Sequence, residues 1–281
     1  APGQVRFHEH FGPFPAGFRY TPANDIPALE AILSTSNVCG LLMEMVQGEG
    51  GVLPVDPAFA KRVRELCTKH HALLILDEVQ TGCARSGTFF AYEQLGIRPD
   101  IVSTAKGLAG GVPIGCILTS DKIAQHFGAG THGSTFGGNA LACAVGEAVL
   151  SKISTPKFLA KVKARGAFMM AALKALNTEL KVFSDVRGMG LLLGCELVPA
   201  LRDKLGEIQT ACLKAGLIVL TAGGTTIRLA PPLNIKEDDI TEGVAILKAV
   251  LTPYAAALKT KKAPAKKTVK RVAKKPAVKT A

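Results

Sequence analysis

Two short, strand-like apolar runs constrain this chain more than any other feature. Leu73-Leu74-Ile75-Leu76 ends in Asp77-Glu78-Val79-Gln80, and Asp100-Ile101-Val102-Ser103-Thr104-Ala105 ends in Lys106-Gly107. A strand without polar alternation has no solvent face, so such runs separated by helical segments predict a parallel sheet covered on both faces. Residues 40–46 and 115–119 read as further strands. Helical spacing covers 25–33 and 57–70, with Ile26, Leu29, Ile32 and Leu33, then Phe59, Val63, Leu66 and Cys67, on the inward sides. Further helices are predicted near 120–127, over 139–153 and over 156–176.

In sheets of this kind, functional groups gather just beyond the carboxyl ends of strands. Glu44, Glu49, Asp77, Gln80 and Lys106 all fall at such places. An amine and a carboxylate at strand ends are a pair suited to pyridoxal 5'-phosphate. The amine holds the aldehyde, and the acid keeps the pyridine nitrogen protonated.

The pattern changes after about residue 176. Residues 188–197, 217–220 and 226–229 read as strands and 237–251 as a closing helix, a second and smaller α+β unit. Lys, Ala, Pro, Val and Thr dominate beyond Pro253, with too little apolar matter to offset the entropy of ordering. The expected organisation is a large domain over 1–153, a small domain over 154–255 and a disordered basic tail over 256–281.

Charge must be located before it is interpreted. Of the 34 Lys and Arg, ten lie between 259 and 281 with no Asp or Glu among them, leaving 24 basic against 22 acidic residues elsewhere. The net +12 therefore belongs to the tail. Such a tail either contacts nucleic acid weakly and without sequence preference, in a salt-dependent way, or serves as a solubilising appendage. It has no aromatic residue for base stacking. No apolar stretch reaches the ~18 residues of a membrane span, so no membrane partner is expected. The seven cysteines form no CxxC pair, and several lie in apolar runs. They read as free thiols of a reducing compartment, the cytoplasm or a mitochondrial matrix, and no metal site is expected. His70-His71 reads as a solvated pair. The start, Ala1-Pro2-Gly3-Gln4, reads as a chain whose beginning is absent.

Five segments in this order resemble the class III aminotransferases, a subgroup of fold-type-I pyridoxal-phosphate enzymes. They are Glu44-Met45-Val46-Gln47-Gly48-Glu49-Gly50-Gly51, Leu76-Asp77-Glu78-Val79-Gln80-Thr81-Gly82, and Arg98-Pro99-Asp100 through Lys106. Thr131-His132-Gly133-Ser134-Thr135-Phe136-Gly137-Gly138-Asn139 and Ile227-Arg228-Leu229-Ala230-Pro231-Pro232-Leu233 complete the set. The likeness extends over roughly residues 1–255 and is greatest to enzymes acting on acetylornithine or ornithine.

The resemblance implies a partial fold-type-I large domain, α/β with a mainly parallel sheet, followed by the small domain. It implies that Lys106 binds the cofactor and moves a proton, that Asp77 pairs with the ring nitrogen, that Val79 packs on the ring and that Gln80 bonds its phenolic oxygen. Glu49 and Arg228 would form a pair that opens so that the guanidinium clamps the carboxylate of glutamate or 2-oxoglutarate. Glu44 would support the substrate, although Met45 follows it where the family often has Pro. Ser134 and Thr135 would receive phosphate at a helix start, the threonine from the neighbouring subunit, so a homodimer with shared sites is implied. Ala140 stands where the family commonly has Pro. The family's Gly-Thr phosphate loop, its ring-covering aromatic residue and its arginine for the α-carboxylate would all lie upstream of Ala1.

The implied reaction moves an amino group from acetylornithine, or ornithine or another ω-amino acid, to 2-oxoglutarate. The piece alone is expected to be impaired. A non-catalytic anion-binding protein on the same body is the rival reading.

Overall fold

The computed structural model describes residues 8–35 and 37–261. After an irregular lead-in come α1 (Ile26–Thr35), β1 (Gly40–Glu44), β2 (Val46–Gln47) and β3 (Leu53–Pro54). Next are α2 (Pro57–Lys69), β4 (Leu73–Asp77), β5 (Ile101–Thr104), β6 (Cys116–Thr119), the one-turn α3 (Asp121–Ala124) and α4 (Ala140–Ile153). Local chemistry fixes the helix starts. Asp56 accepts the Ala58 and Phe59 N–H groups ahead of Pro57, and Asn139 and Thr155 do likewise for α4 and the helix after it.

The first sheet has the order β1-β4-β5-β6. β1, β4 and β5 are parallel, as the apolar runs predict, and β6 runs antiparallel to β5. The sheet is covered on one face rather than two among the described residues. Leu74 and Leu76 are buried with Leu29, Leu33, Phe59, Val63 and Leu66 of α1 and α2. On the opposite face the registered row Leu42, Ile75, Ile101 carries no helix, and Leu42 is 65% exposed. Apolarity of this kind reports that both faces avoid water, but it leaves open which elements of the chain supply the second cover.

The C-terminal part contains α5 (Pro156–Leu180), β7 (Phe183–Met189), β8 (Leu192–Leu197), α6 (Leu205–Lys214), β9 (Leu220–Ala222), β10 (Thr226–Leu229) and α7 (Glu237–Lys261). Its antiparallel sheet, ordered β7-β8-β10-β9, shares a core with α5, α6 and α7, including Leu173, Leu193, Ile208, Ile227, Leu247 and Leu251. Residues 188–197 are not one strand. Gly188 and Gly190 adopt positive φ of 134° and 55°, and the chain doubles back as the β7–β8 hairpin. The strand expected at 217–220 begins only at Leu220, where the ladder to Arg228 starts.

The closing helix also outruns its expected end. It continues through Pro253 to Lys261, because Leu247, Leu251 and Ala255 keep one side in the core and Leu258 packs against it. Residues 256–261 are therefore helix rather than tail, and 262–281 lie outside the described residues. Residues 237–260 are long and apolar enough to cross a bilayer by length and composition. Their apolar stripe is committed instead to packing on the C-terminal core.

Candidate active site

The parallel register brings the chemistry together. Glu44 lies opposite Asp77 and Asp77 opposite Ser103, so the three side chains share the uncovered face at the carboxyl ends of their strands. Lys106 follows β5 by two residues and opens a 3-10 turn, Lys106–Ala109, with φ of +48°. A non-glycine residue held there costs about 1–2 kcal/mol, and such strain persists only where surrounding structure fixes it. Here the fixing groups lie against the turn. The Cys83 Sγ sits 3.4 Å from the Thr104 Oγ1 and contacts the Ala105 carbonyl, and the Leu108 N–H donates to that same carbonyl at 3.1 Å. The Lys106 side chain is exposed.

Asp77 has a local duty as well, since its Oδ1 accepts the Val79 N–H at 2.9 Å. The Glu78 N–H donates to the Ser103 carbonyl at 2.9 Å, tying the two strand ends together. Glu44 accepts the Gly48 N–H at 3.0 Å. Burial pushes its carboxyl above the usual carboxylate range, and Asp77 and Glu49 add to the rise. The Gly48 N–H and the Lys106 ammonium oppose it.

Glu49 and Gln80 meet Arg228 of β10 at the boundary between the two cores. The Arg228 Nη1 donates to the Glu49 Oε1 at 2.6 Å and to the Gln80 Oε1 at 3.2 Å. The guanidinium-bearing side chain is 11% exposed against 46% for Glu49, and its buried Nε has no acceptor among the described residues. A Cβ on Gly48 would overlap the Gln80 Oε1, so the Gln80 amide would have to move away to admit one.

Sequence reasoning missed three residues around the site. Glu78 is fully buried and accepts hydrogen bonds from Thr81 and from the Ala91 and Tyr92 N–H groups at 3.1 and 3.0 Å. Burial raises its pKa against those bonds. Arg85 reaches across to the carbonyls of Leu191, at 3.1 Å, and Pro231. Arg187 reaches the other way, to the carbonyls of Gly51 and Val52 at 2.7 and 3.0 Å. The available signal was an arginine beside glycines, in Arg85-Ser86-Gly87 and Arg187-Gly188-Met189-Gly190.

Ser134 and Thr135 stand apart from this cluster. They occupy an exposed turn ahead of α4, closed by the Gly137 N–H to the Ser134 carbonyl at 3.3 Å. Among the described residues no group of three or more His, Cys, Asp or Glu is placed to hold a metal. Cys67, Cys83, Cys195 and Cys212 are buried free thiols, and Cys39, Cys116 and Cys143 are exposed.

Comparison with known proteins identifies the family. The acetylornithine aminotransferase of Vibrio parahaemolyticus is 50% identical over 251 residues, 89% of this chain and 62% of that protein. The N-acetylornithine aminotransferase structure from Stenotrophomonas maltophilia superposes with a TM-score of 0.79 at 39% identity, covering 87% of this chain and 64% of that one. An ornithine aminotransferase structure from Toxoplasma gondii, described as having partial occupancy of PLP at the active site, gives a TM-score of 0.85 at 31% identity. It covers 92% of this chain and 61% of that one. The chain spans about 60% of the length of the curated relatives it matches. Residues 3–251 match the family described as aminotransferase class-III, and the chain belongs to that family.

Proposed function

We propose that the whole protein transfers the terminal amine of N-acetylornithine to 2-oxoglutarate, yielding the semialdehyde and glutamate, with pyridoxal 5'-phosphate as cofactor. The observation carrying this reading is the meeting of Lys106, Asp77 and the Glu49–Arg228 pair around one set of strand ends. Relatives named for acetylornithine support the choice of donor. The ornithine aminotransferase neighbours support a second reading, with ornithine as donor.

The residues present fit the ring end of the cofactor. An exposed lysine and a half-buried aspartate stand on adjacent strand ends, and the Asp77 Oδ2 makes no hydrogen bond among the described residues. When bound, the cofactor supplies an electron-withdrawing ring for the electrons released as a C–H bond beside the amine breaks. Lys106 would hold it through its aldehyde and would carry a proton to and from the substrate carbon. Asp77 would keep the ring nitrogen charged. Val79 would pack on one ring face. Because the Gln80 oxygen accepts from Arg228, its amide nitrogen would be left to donate to the phenolic oxygen.

Arg228 clamps the carboxylate of 2-oxoglutarate or glutamate when Glu49 releases it, and parks on Glu49 otherwise. Glu44 lies beside both ends of this arrangement and supports the substrate. Ser134 and Thr135, on an exposed loop, complete the phosphate site of a second subunit in a homodimer. The basic tail adds a salt-dependent, sequence-indifferent affinity for nucleic acid.

Incubation of the full-length protein with pyridoxal phosphate and borohydride should trap an adduct at Lys106, and the acetyl donor should give a higher kcat/KM than ornithine. No adduct would leave the anion-binding alternative, and preference for ornithine would reassign the donor.

A further inference from the structure

We propose that Arg187 is the positioning residue for Glu49, and that through Glu49 it sets how often Arg228 is free for a substrate carboxylate. The inference rests on the transamination reading above. It concerns the two-lobed frame that holds the Glu49–Arg228 pair.

Arg187 lies on β7 with a side chain 13% exposed, and each of its five N–H bonds has an acceptor. Nη1 pairs with Glu196 at 2.6 Å and Asp185 at 3.1 Å. Nε donates to the Val52 carbonyl at 3.0 Å, and Nη2 donates to the Gly51 carbonyl at 2.7 Å and the Thr226 Oγ1 at 3.3 Å. One guanidinium therefore grips the turn just after Glu49 and also the strand carrying Arg228, two residues before it. A planar fork can span both, whereas an ammonium is a single point of attachment.

Two further contacts make this a clamp and not a chance proximity. The Gly223 N–H donates to the Glu49 carbonyl at 2.9 Å, at an approach so close that a Cβ on Gly223 would lie 2.6 Å from the Gly50 oxygen. Gly194, opposite Arg187 in the hairpin, leaves room for Val52, whose Cβ would lie 2.8 Å from a Cβ placed there. The loop is thus fixed at residues 49, 51 and 52 while the Glu49 carboxylate stays half-exposed. The backbone is held and the acid is left able to swing.

Release of the turn lowers the fraction of time Glu49 spends on Arg228. Glu49 competes with a substrate carboxylate for that guanidinium, so dicarboxylates gain affinity. The amino donor, which presents no carboxylate there, then meets an unneutralised guanidinium and loses affinity.

The test uses full-length, cofactor-loaded protein with Arg187→Met and Arg187→Lys, alone and combined with Glu49→Gln. Kinetics of both half-reactions and the inhibition constant of glutarate, a non-reacting dicarboxylate, are read. Arg187→Met should shift the ratio of donor to 2-oxoglutarate kcat/KM about tenfold toward 2-oxoglutarate and tighten glutarate, the scale of one lost charge-assisted hydrogen bond. Arg187→Lys should fall between, and it carries the test if the Met variant fails to fold. In the Glu49→Gln background neither change should shift the ratio further.

Equal losses in both half-reactions, or an undiminished shift in the Glu49→Gln background, would overturn the assignment of Arg187 alone. If Glu49→Gln by itself moves neither the ratio nor glutarate binding, the gate reading fails and the Arg187 inference falls with it.

Discussion

The Arg228 Nη1 and the Glu49 Oε1 lie 2.6 Å apart although 179 residues of chain separate them. The same nitrogen also reaches the Gln80 oxygen, so the residue proposed to face the substrate is linked to the one proposed to face the cofactor ring. An ammonium could keep the ion pair but would not offer a carboxylate two parallel donors. Arg228→Lys should therefore raise KM for 2-oxoglutarate about tenfold or more, with a smaller change for the amino donor. Steady-state kinetics with each substrate varied in turn checks this, and equal changes in both would contradict it.

Lys106, the residue proposed to hold the cofactor, stands in a conformation that disfavours its own side chain. Lys106→Gly should abolish the borohydride-trappable adduct and cut turnover by about 10²–10⁴-fold or more. Stability in denaturant should stay level or rise by about 1 kcal/mol, because glycine accepts a φ of +48° without steric cost. A marked loss of stability would show that the lysine is held for packing.

Glu78, the neighbour of Asp77, has a separate role. Its pKa is raised by burial, so its contribution to stability is full below the usual carboxylate pKa and is lost as pH rises through the elevated folded value. Glu78→Gln removes that slope and costs about 1–3 kcal/mol at low pH by weakening the acceptors for Thr81, Ala91 and Tyr92. Unfolding in denaturant across a pH series should show the two proteins converging as pH increases. Parallel curves would mean that Glu78 does not titrate in that window.

Gly190 sits where the hairpin turn presses on Arg85 and Ser86. A Cβ there would lie 2.5 Å from the Arg85 carbonyl oxygen, on a residue with φ of +55°. Gly190→Ala should destabilise the chain by about 2–4 kcal/mol, since backbone atoms on both sides must move. A denaturation midpoint close to wild type would show that the turn relaxes freely.

Much of the site was legible before any coordinates. Asp77 and Lys106 stand out because apolar runs ending in polar residues state both the strand and its useful end, and that information sits within a few adjacent residues. The caps Asp56, Asn139 and Thr155 are equally local. Tertiary structure decided the rest. Hydrogen-bond direction is absent from apolar periodicity, so β6 turned out antiparallel to β5. The break in 188–197 depends on Gly188 and Gly190 taking positive φ, which Gly40 and Gly48 in comparable strand-end segments do not. Arg187 and Arg85 find their carbonyl partners across 135 and 106 positions of sequence, and Glu78 is buried beneath a turn that begins a dozen residues later. Sequence determines what each short segment prefers. Packing alone decides which distant carbonyl or carboxylate a buried charge will find, because that choice depends on which elements come together.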